Sequence, residues 1–184
     1  MYKIVPKRMF FTKGMGYHKN KLQSFEIALR HAGIEKCNLV HISSILPPEC
    51  KIISKTAGIE EIKAGQITFV VMAREDTNEP NRLVSAAVGL AQPKDKNQYG
   101  YLSEHYAFGE TVKKSADYAE DLAATMLAST LGIEMDPDAA WDERKQVYKV
   151  GQKLFVSRSI AQSAKGHKDG LWTTALACAV MLLD

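Results

Sequence analysis

Apolar positions along the chain alternate between short β-like runs and two stretches with helical spacing. Lys3–Phe11 reads as a first strand, interrupted early by Pro6, and the glycine-containing stretch 13–19 reads as a loop. Residues 21–32 read as a helix: Leu22, Phe25, Leu29 and Ala32 recur at helical spacing, and Gly33 stands where a C-terminal cap belongs. Asn38–Ser43 is a short extended run stopped by Pro47 and Pro48. Ile67–Ala73 is apolar on both faces, as in a buried strand, and 76–81 has turn chemistry. Leu83–Ala91 is a second apolar run, and Tyr99–Phe108 a further strand. Residues 110–131 form the longest predicted helix, with Val112, Ala116, Ala119, Ala123, Met126 and Thr130 on one stripe and Gly132 as its cap. Val147–Ser163 reads as extended, with a turn or bulge at Gly151, and the apolar run Leu171–Leu183 as a last strand. Strands outnumber helices and do not alternate with them, which favours an α+β sandwich over a doubly wound α/β fold.

The remaining bulk properties narrow the function. The 184 residues suit one domain with a real core. With 24 basic and 21 acidic residues the net charge is +3, too balanced to argue for nucleic acid. Lys13, His18, Lys19 and Lys21 fit a solvated loop better than a phosphate patch, and Gly14–Gly16 lacks the context of a dinucleotide fingerprint. Cys37, Cys50 and Cys178 offer no CxxC spacing, so neither a disulfide framework nor a zinc site is indicated, and a reducing cytosol fits. The N-terminus has no long apolar run like that of a signal peptide, and Leu171–Leu183 is too short to span a bilayer. Trp141 and Trp172 read as packing anchors; Lys94 and Lys96 read either as cations that meet a substrate carboxylate or as part of a turn capped by Asp95.

The chemistry concentrates in Asn38-Leu-Val-His-Ile-Ser-Ser-Ile-Leu-Pro-Pro-Glu49. No histidine–acid spacing suggests a hydrolase triad and there is no GxSxG elbow. NLVHISSILPPE resembles the cleavage segment of the pyruvoyl-dependent arginine decarboxylases, an N-(x)4-SS-(I/V)-(L/M/F)-P pattern. Two further segments match in family order. One is Ser24–Ile34, similar to the family's first-helix signature. The other is Gln92–Asn97 followed by Gly100 and Glu104.

The resemblance implies that the chain cuts itself between Ser43 and Ser44, giving 1–43 and 44–184. In that chemistry the Ser44 hydroxyl attacks the Ser43 carbonyl in an N→O acyl shift, helped by strain and by an oxyanion donor that the family places at Asn38. Elimination and loss of ammonia then leave a covalent pyruvoyl group at position 44, an electron sink comparable to pyridoxal phosphate. The family assigns Glu104 to reprotonating the substrate carbon. His105 is the alternative donor, and as a strand neighbour it points to the opposite face.

On the first helix Glu26 falls about 40° from Leu22 and about 60° from Leu29, which sets an acid on the apolar face. A buried carboxylate needs a cationic partner, and a guanidinium suits it in two-point fashion. An edge-of-face acid paired with a surface cation is the alternative. The family places an acid here against arginine's guanidinium, with Leu22 and Cys37 at pocket-lining positions.

The resemblance further implies an αββα sandwich, a homotrimer of processed protomers with sites between subunits, and conversion of L-arginine to agmatine and CO2. A pyruvoyl decarboxylase for another amino acid and an unprocessed, non-catalytic trimeric relative are the rivals. An acid at Glu26 disfavours an acidic substrate.

Overall fold

Small residues decide how the helices of this protein meet its sheets. In the computed structural model, residues 4–132 and 155–183 are described. They form nine strands and three helices: β1 (Arg8–His18), α1 (Lys21–Ala32), β2 (Asn38–His41), β3 (Ile45–Leu46), β4 (Lys51–Ile52), α2 (Lys55–Glu61), β5 (Ile67–Thr77), β6 (Leu83–Pro93), β7 (Gly100–Phe108), α3 (Val112–Thr130), β8 (Phe155–Lys165) and β9 (Trp172–Leu182). The architecture is mixed α+β with two sheets, in the orders β2-β5-β9-β1-β4 and β3-β7-β6-β8.

Each helix starts at a side-chain cap, which satisfies backbone N–H groups that have no partner within the helix. Asn20 Oδ1 accepts from Leu22 N–H at 2.9 Å and Gln23 N–H at 3.2 Å. Ser54 and Thr111 do the same for Ala57 and Lys114. Gly33, at φ 82°, closes α1 as its position predicts.

Met9, Val71, Ala179 and Met181 of the first sheet pack with Ala86, Val88, Leu90 and Leu102 of the second in one buried cluster. The opposite face of the first sheet carries Phe10, Val70 and Val180 against Ala28 and Ala32 of α1 and the half-buried Ile59 of α2. Ala91 of β6 meets Ala123, Ala124 and Leu127 of α3. A Cβ placed on Gly14 of β1 would stand 2.0 Å from the Ala28 carbonyl oxygen, and one on Gly89 of β6 equally close to that of Ala119. Glycine is required at both positions because the helix backbone itself lies on the strand.

This close packing turns both helices away from the faces their large residues suggest. On α1 the buried residues are Ser24, Ala28 and Ala32, and Leu22 is 72% exposed. On α3 they are Ser115, Ala119, Ala123, Ala124, Leu127 and Ala128, so only Ala119 and Ala123 of the predicted stripe are buried. The loop expected at 13–19 is instead the second half of β1, paired with β9 as far as His18↔Trp172. Sheet pairing outweighs the poor strand propensity of its two glycines. The predicted first strand begins late, at Arg8, and β5 runs on through the expected turn residues Asp76 and Thr77. Helix α2 has no counterpart in the predicted order. Trp141, Gly151 and the start of the Val147–Ser163 run lie outside the described residues, and the rest of that run is β8. Asp95 does cap its turn, accepting from Asn97 N–H at 3.0 Å. Among the described residues no helix is long and apolar enough to cross a membrane.

Between β2 and β3 the chain crosses from one sheet to the other. β2 runs parallel to β5 in the first sheet, and Ile42 N–H still donates to Val70 O at 3.0 Å. Two residues later the chain belongs to the second sheet, where Leu102 N–H donates to Ser44 O at 2.7 Å and β3 pairs with β7.

The close approach of α1 to β1 has a measurable consequence. Gly14→Ala drives a methyl group into helix backbone that cannot rotate away, an overpacking defect worth about 1–3 kcal/mol or more. Its urea midpoint at fixed protein concentration falls clearly below that of the unsubstituted chain. An unchanged midpoint contradicts the packing described.

Candidate active site

The crossing strand forms one side of a cavity of about 510 Å³. His41, Ile42, Ser43 and Ser44 line it from the crossing strand, Ser103 and Glu104 from β7, and Leu122 and Met126 from α3. That volume lies in the range of small-molecule sites. Ser43 is exposed and Ser44 half-buried. Both carbonyls about Ser44 are held: Ser43 O accepts from Ile45 N–H at 3.0 Å, closing a three-residue turn, and Ser44 O accepts from Leu102 N–H.

Glu104 owes its setting to the same crossing. β2 leaves β5 after Val70, which frees the next stretch of the β5 edge, and the Met72 backbone there hydrogen-bonds the Glu104 carboxylate. Glu104 reaches solvent as a residue. Its carboxyl nevertheless loses enough water that burial pushes it above the usual carboxylate range, outweighing the nearby His41 and the Met72 bond, which act the other way. The Glu104 charge in turn helps burial raise the thiol of fully buried Cys178, the β9 residue opposite Met72.

His105 points the other way, as strand alternation requires. Its Nε2 lies 2.8 Å from Glu110 Oε2 and its ring 4.3 Å from that of Tyr118. The His105 contact, with help from Lys114 and Ser115, holds the Glu110 carboxyl below its usual range despite partial burial. His105 is therefore tied to the start of α3, away from Glu104.

Four expected site residues lie elsewhere. Asn38 opens β2, with its Nδ2 on Gly65 O at 2.9 Å. Pairing with β5 runs from Asn38↔Ile67 to Ile42 N–H on Val70 O, so the chain is extended between Asn38 and the serine pair, and Asn38 is not among the residues lining the cavity. Glu26 is not buried on an apolar face: its side chain is 44% exposed and its Oε1 accepts from Arg30 Nη2 at 2.7 Å, one turn along α1. The rotation of α1 that buries Ala28 and Ala32 is the reason. Leu22 projects outward on the same helix, and half-buried Cys37 has its Sγ 3.9 Å from Lys63 O. His41 and Ser103 also line the cavity, and sequence reasoning missed both. Their only signal was position, beside the serine pair and beside Glu104.

A mixed α+β chain that carries a held serine–serine link and a carboxyl shifted upward by burial in one cavity defines an enzyme-like site assembled where a strand changes sheets. Comparison with known proteins identifies the type. The family model for pyruvoyl-dependent arginine decarboxylase matches residues 8–184, and the chain belongs to that family. It is similar to the probable pyruvoyl-dependent arginine decarboxylase of Chlorobaculum tepidum, at 60% identity over 97% of this chain and 98% of the relative. The pyruvoyl-dependent arginine decarboxylases of Methanococcoides burtonii and Nitrosopumilus maritimus are 54% and 52% identical, over 98% and 100% of this chain and the whole of each relative.

The Glu104 environment predicts a titration. In ¹³C-glutamate spectra of the folded chain its carboxyl has a midpoint above 4.5, and Glu104→Gln removes that signal. The sign comes from linkage: a carboxyl that binds its proton more tightly folded than unfolded adds stability below its unfolded pKa and loses it as pH rises through the folded one. A Glu104 midpoint at or below 4.5 contradicts the described burial.

Proposed function

We propose that this chain converts L-arginine to agmatine and CO2, with a pyruvoyl group formed at Ser44 by self-cleavage after Ser43. Family membership over residues 8–184 carries the activity, and the position of the serine pair in the cavity supports the processing. The residues fit the group: Ser44 borders open cavity space and its carbonyl oxygen is fixed by Leu102 N–H. Once formed, a pyruvoyl group supplies a ketone that captures the substrate amine and draws off the electrons released with CO2.

The chain's own side chains do the rest. Glu104, a cavity-lining carboxyl that burial shifts upward from its ordinary value, is the general acid that protonates the substrate carbon in this reading. Leu122 and Met126 give the cavity an apolar wall on the α3 side.

In this reading Glu26, Leu22, Cys37 and Asn38 serve the cavity of a neighbouring protomer in a homotrimer. Their separation from the cavity of their own chain supports it. So does the exposure of large apolar side chains on separate elements, Leu22 on α1, Tyr106 and Phe108 on β7, and Tyr118 and Leu122 on α3. Head-to-tail contacts between unlike surfaces close into rings. Glu26 can exchange its Arg30 partner for a substrate guanidinium at little cost, since the pair is solvent-exposed and screened by water. Helices α1 and α2 against one sheet and α3 against the other support the αββα sandwich. The three unpaired cysteines support a cytosolic setting.

The test is agmatine production by the purified chain, compared with Glu104→Gln. The variant self-cleaves, retains arginine binding, and loses about 10²–10⁴-fold in kcat, the usual worth of a general acid. A fully processed wild-type chain that makes no agmatine overturns the substrate. Normal turnover by a fully processed Glu104→Gln overturns the role of Glu104.

A further inference from the structure

The turn at Ser44 offers an answer to a problem that the position of Asn38 leaves open. An acyl shift puts negative charge on the Ser43 carbonyl oxygen, and that charge needs a donor in place before it forms. Within the protomer the Asn38 amide is engaged with Gly65 O at the far end of β2. The Ser43 oxygen already has a donor, Ile45 N–H at 3.0 Å.

We propose that the backbone N–H of Ile45 is the intramolecular oxyanion donor for self-cleavage. The inference rests on the reading that the Ser43–Ser44 link is the processing site. Ser44 Oγ attacks the Ser43 carbonyl carbon, a C–Oγ bond forms, and the carbonyl π pair moves onto the oxygen that faces Ile45 N–H. That pair then re-forms the C=O bond as the Ser43 C–Ser44 N bond breaks, and the hydroxyl proton passes to the departing nitrogen. The product is an ester isomer, with no atom gained or lost.

Three features fit the N–H to this role. First, it is not used in the sheet. Leu102 N–H bonds Ser44 O and β3 pairs with β7 at Leu46↔Gly100, so Ile45 lies between hydrogen-bonded positions with its N–H turned away from β7. Second, it is held. Ser44 O is pinned to β7 on one side of the turn and Ile42 N–H to Val70 O on the other, so the donor need not reorganise as charge develops. Third, it strengthens along the reaction, because a hydrogen bond to an oxyanion is about twice as strong as one to a neutral carbonyl.

The test tracks the conversion of freshly synthesised full-length chain into two fragments by mass, in wild type, Ile45→Pro and Ile45→Ala. Proline removes the donor and leaves the Ser44 carbonyl for Leu102. Its cleavage slows by about 10²-fold, the usual cost of one oxyanion donor. Ile45→Ala, which keeps the donor, cleaves faster than Ile45→Pro by about the same factor. Hydroxylamine, which cuts esters, releases no fragment from uncleaved Ile45→Pro, because ester formation is the step lost. A proline variant that melts cooperatively and cleaves at the wild-type rate, or that accumulates hydroxylamine-labile ester, overturns the proposal. A second measurement is independent of proline: in uncleaved Ser44→Ala precursor the Ile45 amide proton is protected from exchange, and an unprotected one overturns the proposal equally. If the wild type itself stays in one piece, the processing reading fails rather than this assignment.

Discussion

The hydrogen bonds on either side of Ser43 are the constraint on which the rest of the site depends. Ile42 N–H is fixed to Val70 in one sheet and Ser44 O to Leu102 in the other, so residues 42–44 must span the gap between two separately packed sheets. A strand crossing of this kind leaves a short segment anchored at both ends, where backbone geometry is set by the sheets and not by local preference. It also frees the β5 edge beyond Val70. The Met72 backbone there acts on the Glu104 carboxyl, which lines the cavity together with the serine pair. The proposed cleavage after Ser43 leaves each new end beside a residue paired in its own sheet.

The sequence pointed to the candidate site more clearly than to the packing. Ser43, Ser44 and Glu104 were legible because three ordered segments resemble one family, and the structure brings these residues into one cavity. Strand alternation alone set His105 on the face opposite Glu104. The strands from β5 onward and Gly33 at the end of α1 came from periodicity and cap chemistry. What misled was size. Counting Leu22, Phe25 and Leu29 as the buried face of α1 assumes that large apolar residues face the sheet, whereas alanines do so here because glycines on β1 admit the helix backbone. The same assumption placed Glu26 indoors. Nothing local marks Gly14 as a strand residue until β9 is alongside it.

The unburied apolar residues acquire a meaning on the proposed assembly. Leu22, Tyr106 and Tyr118 are each more than half exposed. A cavity bounded on one side by Leu122 and Met126 and open on another is suited to completion by a second chain that brings its own acid. The proposed assembly divides the labour: it assigns the bond-breaking chemistry to the serine pair and Glu104 of one protomer and specificity for a guanidinium to α1 of the next.

The central claim is that the crossing strand is where the chain cuts itself, and the intact mass of the freshly purified protein tests it most directly. The account predicts two species, residues 1–43 and 44–184, the second lighter by one ammonia than the same fragment with an N-terminal serine. A single species at the full 20.4 kDa contradicts it.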